Sequence, residues 1–195
     1  SLGVHGASRY GTSKKSGEDT VRAAYPSATI LRPSVVFGEG DHFFNMFAEL
    51  ARFTPALPLI GGGATKFQPV YVGDVADAVM AAINRPDAQG KIYELGGPEI
   101  VTFRQIYEKM FAVTGRKRCL VSLPWGLAKV QATFMSLLPS PLLTPDQVEA
   151  LKTDNIITDD ALTFTDLGLT PTAMDLILPA YLETYRAGGK FGIKT

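Results

Sequence analysis

A helical stretch closed by Tyr25-Pro26 and followed almost at once by the short run Ala28-Thr-Ile-Leu-Arg-Pro33 constrains this chain more than any other feature. The residue before a proline is pushed out of helical backbone, so a helix over Ser8–Ala24 must end there. A β-branched run bounded by turn residues suits a strand buried on both faces, as in parallel sheets covered by crossover helices. Together the two are half of a βαβ unit. The alternation then continues: a helix near Phe43–Phe53, a glycine turn at Gly61-Gly62-Gly63, a strand over Phe67–Val72 and a helix over Asp74–Asn84 capped by Asp74. After a strand at Ile92–Leu95, Thr102 opens an amphipathic helix with Ile106, Met110 and Val113 on one side, and Gly115 closes it.

Beyond Gly115 the pattern changes. Arg116-Lys117-Arg118 forms a basic turn, Cys119–Leu123 a short strand, and Trp125–Leu138 a nearly all-apolar helix ahead of the proline-broken P-S-P-L-L-T-P. Thr144-Pro145-Asp146-Gln147 reads as an N-cap with proline at the first helical position. Thr170-Pro171-Thr172-Ala173 repeats the device before a last helix reaching Arg186. The expected organisation is an α/β part over 1–115 and a smaller, mainly helical lobe over 116–195.

Composition removes several functions. The 19 Lys+Arg balance 19 Asp+Glu, so no basic excess is present to hold nucleic acid by its phosphates. Cys119 is the one cysteine, which excludes an internal disulfide, and no Cys/His group has metal-ligand spacing. The opening S-L-G-V-H-G-A-S has neither a charged nor an apolar leader segment, and the most apolar stretch, Leu120–Leu143, is interrupted by Pro124, Lys129, Pro139 and Pro141. The expectation is a soluble or peripheral protein without a transmembrane segment, in a reducing compartment.

The chemistry-bearing motif is Tyr10-Gly-Thr-Ser-Lys14. Positions i and i+4 share a helix face, so the lysine ammonium can lie beside the tyrosine. Ionising an ordinary tyrosine at neutral pH costs roughly 4 kcal/mol, and a neighbouring cation lowers that cost, so such a pair can exchange a proton with an alcohol or carbonyl. An exposed helix face carries the same spacing without any chemistry.

In order along the chain follow Gly17-Glu18, T-I-L-R-P-S-V-V-F-G over 29–38, P-V-Y-V-G-D over 69–74 and Y-E-L-G-G-P over 93–98. This series resembles the second half of the extended and atypical short-chain dehydrogenase/reductases, the epimerase/dehydratase-like group. Y-P-S-A-T-I, P-S-V-V-F-G with Asp41, Phe44 and Asn45, R-F-T-P-x-L-P-L, Q-P-V-Y-V-G-D-V, D-A-x-G-K, T-P-D-Q-V and D-L-G are similar to one branch in particular. That branch is the 39-kDa NAD(P)H-binding accessory subunit of respiratory complex I with its bacterial relatives.

The resemblance implies an α/β fold: the second half of a Rossmann-type doubly wound parallel sheet, with the helical lobe attached. It implies that Tyr10 and Lys14 are the catalytic tyrosine and lysine, that Lys14 also holds the nicotinamide ribose, and that Pro33, Ser34 and Val35 touch the nicotinamide. Ser1 matches the catalytic serine that precedes the tyrosine; an unstructured terminus is the alternative. The implied partners are the dinucleotide, NAD or NADP, and complex I subunits, on the cytoplasmic side of the bacterial inner membrane or the matrix side of the mitochondrial one. A dinucleotide fold also needs G-x-G-x-x-G after its first strand, which is absent here; Gly61-Gly62-Gly63 precedes a strand and reads as a turn. The expectation is that about 120 to 130 residues of such a domain lie outside this chain. Two functions are then open: an accessory subunit whose nucleotide is structural or regulatory, or an active NAD(P)-dependent epimerase or reductase acting on a sugar nucleotide or related alcohol.

Among the remaining residues, Asp74 reads as a cap rather than a ligand contact, His5 and His42 as lone surface or loop histidines, and Cys119 as a buried small hydrophobe. The stripe Leu127, Val130, Phe134 and Leu137 or Leu138 is either core packing or a docking face.

Overall fold

The computed structural model describes residues 1–139 and 141–189. Ser140, in the proline-broken link, and 190–195, the end of the expected helical lobe, lie outside the described residues. Helix α1 spans Arg9–Ala24, with Ser8 as N-cap accepting from the Gly11 amide at 3.0 Å, and Tyr25 leaves the helix just before Pro26. Strand β1 follows at Ile30–Pro33 and β2 at Val36–Phe37. Helix α2 covers His42–Phe53, capped by Asp41 through the Phe44 amide at 2.6 Å.

After β3 (Ala56–Ile60) the strand expected over Phe67–Val72 divides into β4 (Lys66–Phe67) and β5 (Val70–Tyr71). Between them the Gln68 amide donates to the Asn155 carbonyl, and Pro69 has no amide to continue a ladder. Helix α3 spans Val72–Asn84, β6 Ile92–Leu95, β7 Val101–Thr102 and α4 Phe103–Thr114. Thr102 opens α4 and Gly115 closes it in the left-handed conformation, φ 65°, as expected, and the structure adds a reciprocal capping box between Thr102 and Gln105. Strand β8 (Cys119–Leu123), α5 (Trp125–Met135), α6 (Pro145–Ala150) and α7 (Met174–Leu182) complete the chain.

Three strand pairs are parallel, β1 with β6, β2 with β5 and β3 with β8; β4 with β7 is antiparallel. Parallel pairs need long crossovers, which the intervening helices supply. The two stretches read from composition interlock, since β8 pairs with β3, Asn155 bridges to Phe67 and Leu162 to Tyr93. The largest core joins α2, β3, α4 and α7 around Phe44, Leu59, Tyr107 and Leu178; a second packs α3 on β6 around Val70, Ala78, Tyr93 and Leu95. The basic turn bonds to carbonyls, Arg116 to Tyr185 and Arg118 to Ala51, both at 2.7 Å.

Four expectations are corrected. Helix α3 starts two residues before Asp74, whose carboxylate therefore lies in the first turn and accepts from the Thr172 amide at 2.6 Å and hydroxyl at 2.8 Å. Helix α7 starts at Met174 without the side-chain cap expected of Thr170, and after Leu182 the helix continues as a 3₁₀ turn over Glu183–Tyr185 that reaches Arg186 as expected. Cys119 is exposed, because β8 pairs only with β3 among the described strands and turns alternate residues outward. His5 is not lone: its Nε2 lies 2.7 Å from Glu94 Oε1.

Candidate functional site

Tyr10 sits in the first turn of α1, on the edge of a cleft of about 750 Å³ that is also lined by Ser1, Pro33, Ser34 and Val35. That volume is in the range of small-molecule sites. Three local arrangements hold this edge. Ser1 Oγ accepts from the Gly3 amide at 3.2 Å and opens a short 3₁₀ turn over Leu2–His5. Helix α1 packs against that turn through Gly11, where a Cβ would run into the carbonyl oxygens of Gly3 and Gly6. The open N-terminal amides of α1 are capped from α6: Arg9 donates to Asp146 Oδ1 at 2.7 Å and Tyr10 to Oδ2 at 3.1 Å.

Across the cleft, the segment leaving β1 is braced by Asn155. Ser34 Oγ donates to Asn155 Oδ1 at 2.7 Å, and the Val35 amide donates to the same oxygen at 3.2 Å. Asn155 and Asp146 escape a reading of spacing, since each serves an element more than a hundred positions away. Gly11 did leave a signal, a glycine inside a helix, which usually marks close packing.

Lys14 lies one turn after Tyr10 on the same face, exposed, with Nζ 5.4 Å from the centroid of the Tyr10 ring. It does not line the cleft, so of the candidate residues Ser1, Tyr10, Pro33, Ser34 and Val35 converge on one cavity and Lys14 stands beside it.

One further turn along α1, Glu18 takes a forked bond from Arg32, with Nε at 3.0 and 3.1 Å and Nη2 at 2.7 Å. Arg32 reaches Glu94 on β6 at 3.2 Å, and Glu94 also accepts from the Thr158 amide at 2.9 Å. Arg32 and Glu94 side chains are 12% and 3% exposed, so this is a buried network clamping the α1 face behind Tyr10 onto β1 and β6. Burial works to raise the Glu94 carboxyl; the donors from Thr158, His5 and Arg32 outweigh it and leave it below the ordinary glutamate range.

The Tyr10 hydroxyl lines the cleft with the Lys14 ammonium nearby, whereas the donors of the Pro33–Val35 edge are already taken: the Ser34 amide by Leu95, and the Ser34 hydroxyl and Val35 amide by Asn155. No Lys or Arg is among the described residues lining the cleft, and although Gly3 and Gly6 precede α1 there, the first-turn amides of Arg9, Tyr10 and Gly11 are already taken by Asp146 and Ser8.

Residues 4–159 match the family described as RmlD substrate binding domain. The chain is 39% identical to the mitochondrial NADH dehydrogenase (ubiquinone) 1 alpha subcomplex subunit 9 of Arabidopsis thaliana, over 95% of this chain and 49% of that protein. It is 36% identical to the same-named Mus musculus protein, over 89% of this chain and 46% of that one. The chain thus spans about half the length of the curated relatives it matches. Among solved structures, a dTDP-glucose 4,6-dehydratase from Bacillus anthracis in complex with NAD superposes with a TM-score of 0.64 at 16% identity, over 90% of this chain and 51% of that one. That likeness gives the fold, a Rossmann-like α/β architecture.

Proposed function

This chain belongs to the RmlD substrate binding domain family, and from that premise we propose that it serves in an NAD(P)H-binding accessory subunit of a respiratory NADH:quinone oxidoreductase. The observation that carries the reading is the match to mitochondrial NADH dehydrogenase subunits along nearly the whole chain. The bound nucleotide, NAD or NADP, would be structural or regulatory. The subunit would sit peripherally on the matrix face of the mitochondrial inner membrane or the cytoplasmic face of a bacterial one. No helix of the described residues is long and apolar enough to cross a membrane. The test is a native gel of membranes solubilised in mild detergent, with the protein tagged at its full natural length. It should run with the NADH dehydrogenase activity; migration on its own beside an assembled complex would overturn the proposal.

A second reading, an active NAD(P)-dependent reductase or epimerase, is favoured by the placement of Tyr10 on the same cleft as Ser34 and Val35. A bound nicotinamide would supply the hydride acceptor or donor. The chain's own part would be proton transfer at the Tyr10 hydroxyl, to or from the substrate oxygen, with Lys14 one turn further along the same face. Asn155 would keep the Ser34–Val35 edge in register with that hydroxyl.

A further inference from the structure

Apolar side chains make up most of the lining of the Tyr10 cleft, with His42, Gln131 and Gln147 among its polar members. Phe43 and Phe47 from α2, Phe67 from β4, Phe103 from α4 and Leu143 and Leu151 near α6 line it. Tyr107 adds only its ring, because its hydroxyl is already donated to the Pro58 carbonyl at 3.2 Å. The Phe43, Phe47, Phe103 and Tyr107 rings pack edge-on or tilted with centroids 4.9 to 6.2 Å apart, which makes a continuous aromatic wall.

A nucleotide sugar is a poor match to this lining. Its two phosphates need cations or free amides, and its hydroxyls need polar partners. The described residues lining the cleft include no Lys or Arg, and their one carboxylate, Asp154, would repel a diphosphate. At the mouth the same segment that contributes Met135, Leu142 and Leu143 to the lining turns Phe134, Leu137 and Leu138 outward, exposed by 58% or more. The apolar character thus runs from the inner wall to the lip.

We propose that the cleft takes a long apolar chain ending in an alcohol or carbonyl, with the oxygen at Tyr10 and the chain laid along the Phe43–Phe47–Phe103 wall. An acyl lipid and an isoprenoid quinol share this chemistry. The inference deepens the reading of the cleft as the substrate side and rests on it, but needs neither turnover nor assembly to be tested.

The experiment uses the full-length protein and follows displacement of a fluorescent fatty acid by linear alcohols from octanol to hexadecanol, by a short-tailed quinol and by UDP-glucose. Each methylene buried is worth about fourfold in affinity, so affinity should climb steeply along the alcohol series before levelling off. Tighter binding of the linear alcohols assigns the acyl source, and tighter binding of the quinol the isoprenoid one. Leu142→Asp at the half-exposed lip and Met46→Gln in the wall should each weaken binding by tenfold or more, with folding checked by circular dichroism. UDP-glucose binding more tightly than hexadecanol, affinity indifferent to chain length, or both folded variants binding like the parent would overturn the proposal. Because comigration with the respiratory complex is read on a separate gel, loss of that result leaves this one standing, and the converse.

Discussion

Tyr10 carries the proton-transfer reading, and its neighbours make that reading testable. If the full-length protein turns over a substrate, Tyr10→Phe should lower the rate by about 10² or more with little change in stability, as expected for a general acid or base half exposed at a cleft edge. An unchanged rate would remove the role. Arg32 is the structural counterpart: it stands between Glu18 and Glu94 with its side chain largely buried. Arg32→Met strands two carboxylates, and breaking a buried ion pair from one side costs about 3 kcal/mol or more; urea unfolding measures it. The pH dependence follows from Glu94. Its carboxyl is held below the ordinary range when folded, so its contribution is complete above the unfolded value near 4.3 and is lost as pH falls through the lower, folded value. Glu94→Gln should therefore show a shallower loss of stability between roughly pH 4.5 and pH 2 than the parent. Equal acid slopes would mean the network does not protect that carboxylate.

Among elements, the contact of α6 with α1 and the placement of α5 matter most. Asp146 satisfies two amides of α1 from another helix, so Asp146→Ala should destabilise by about 1 kcal/mol, the usual cost of losing an N-terminal cap. It should also raise hydrogen exchange at Arg9 and Tyr10 more than elsewhere in α1. Helix α5 turns its small residues, Ala128 and Ala132, into the fold against Ile60 and Val148, and leaves Leu127, Val130 and Phe134 outside. Small residues let the helix lie close, and the bulky side chains have nothing to cover them within the described chain. Phe134→Asp with Leu138→Asp should change unfolding stability by no more than about 0.5 kcal/mol each. In the accessory-subunit reading the same pair should release the protein from the respiratory complex on a native gel. A large loss of stability would show instead that this face is packed inside the protein.

At the scale of the whole molecule, the described residues lining the cleft include no Lys or Arg to pair with the phosphates of a dinucleotide. Pyrophosphate binding draws on free helix N-terminal amides, and those at the starts of α1 and α2 on this cleft are engaged by Asp146, Ser8 and Asp41. Calorimetry of these 195 residues with NADPH should accordingly detect no binding tighter than about millimolar. Micromolar binding would mean that a phosphate site exists among these residues.

The sequence by itself determined the order of the elements, most of their ends, and the shared face of Tyr10 and Lys14. Caps, prolines and left-handed glycines act within three or four residues, so Pro26, the Thr102 cap and Gly115 could be read directly. Only the tertiary structure decided who meets whom. Asp74 reads as a cap but holds Thr172, His5 reads as solitary but meets Glu94, and Asp146 reads as part of its own helix but closes another. A carboxylate near a helix start has several possible donors, and which one it takes depends on what packs beside it. The same reason governs the apolar segments: Cys119-Leu-Val and the α5 stripe have the composition of a core, and burial followed instead from which neighbours were available. An edge strand and a helix apolar on both sides were consequently left open to solvent.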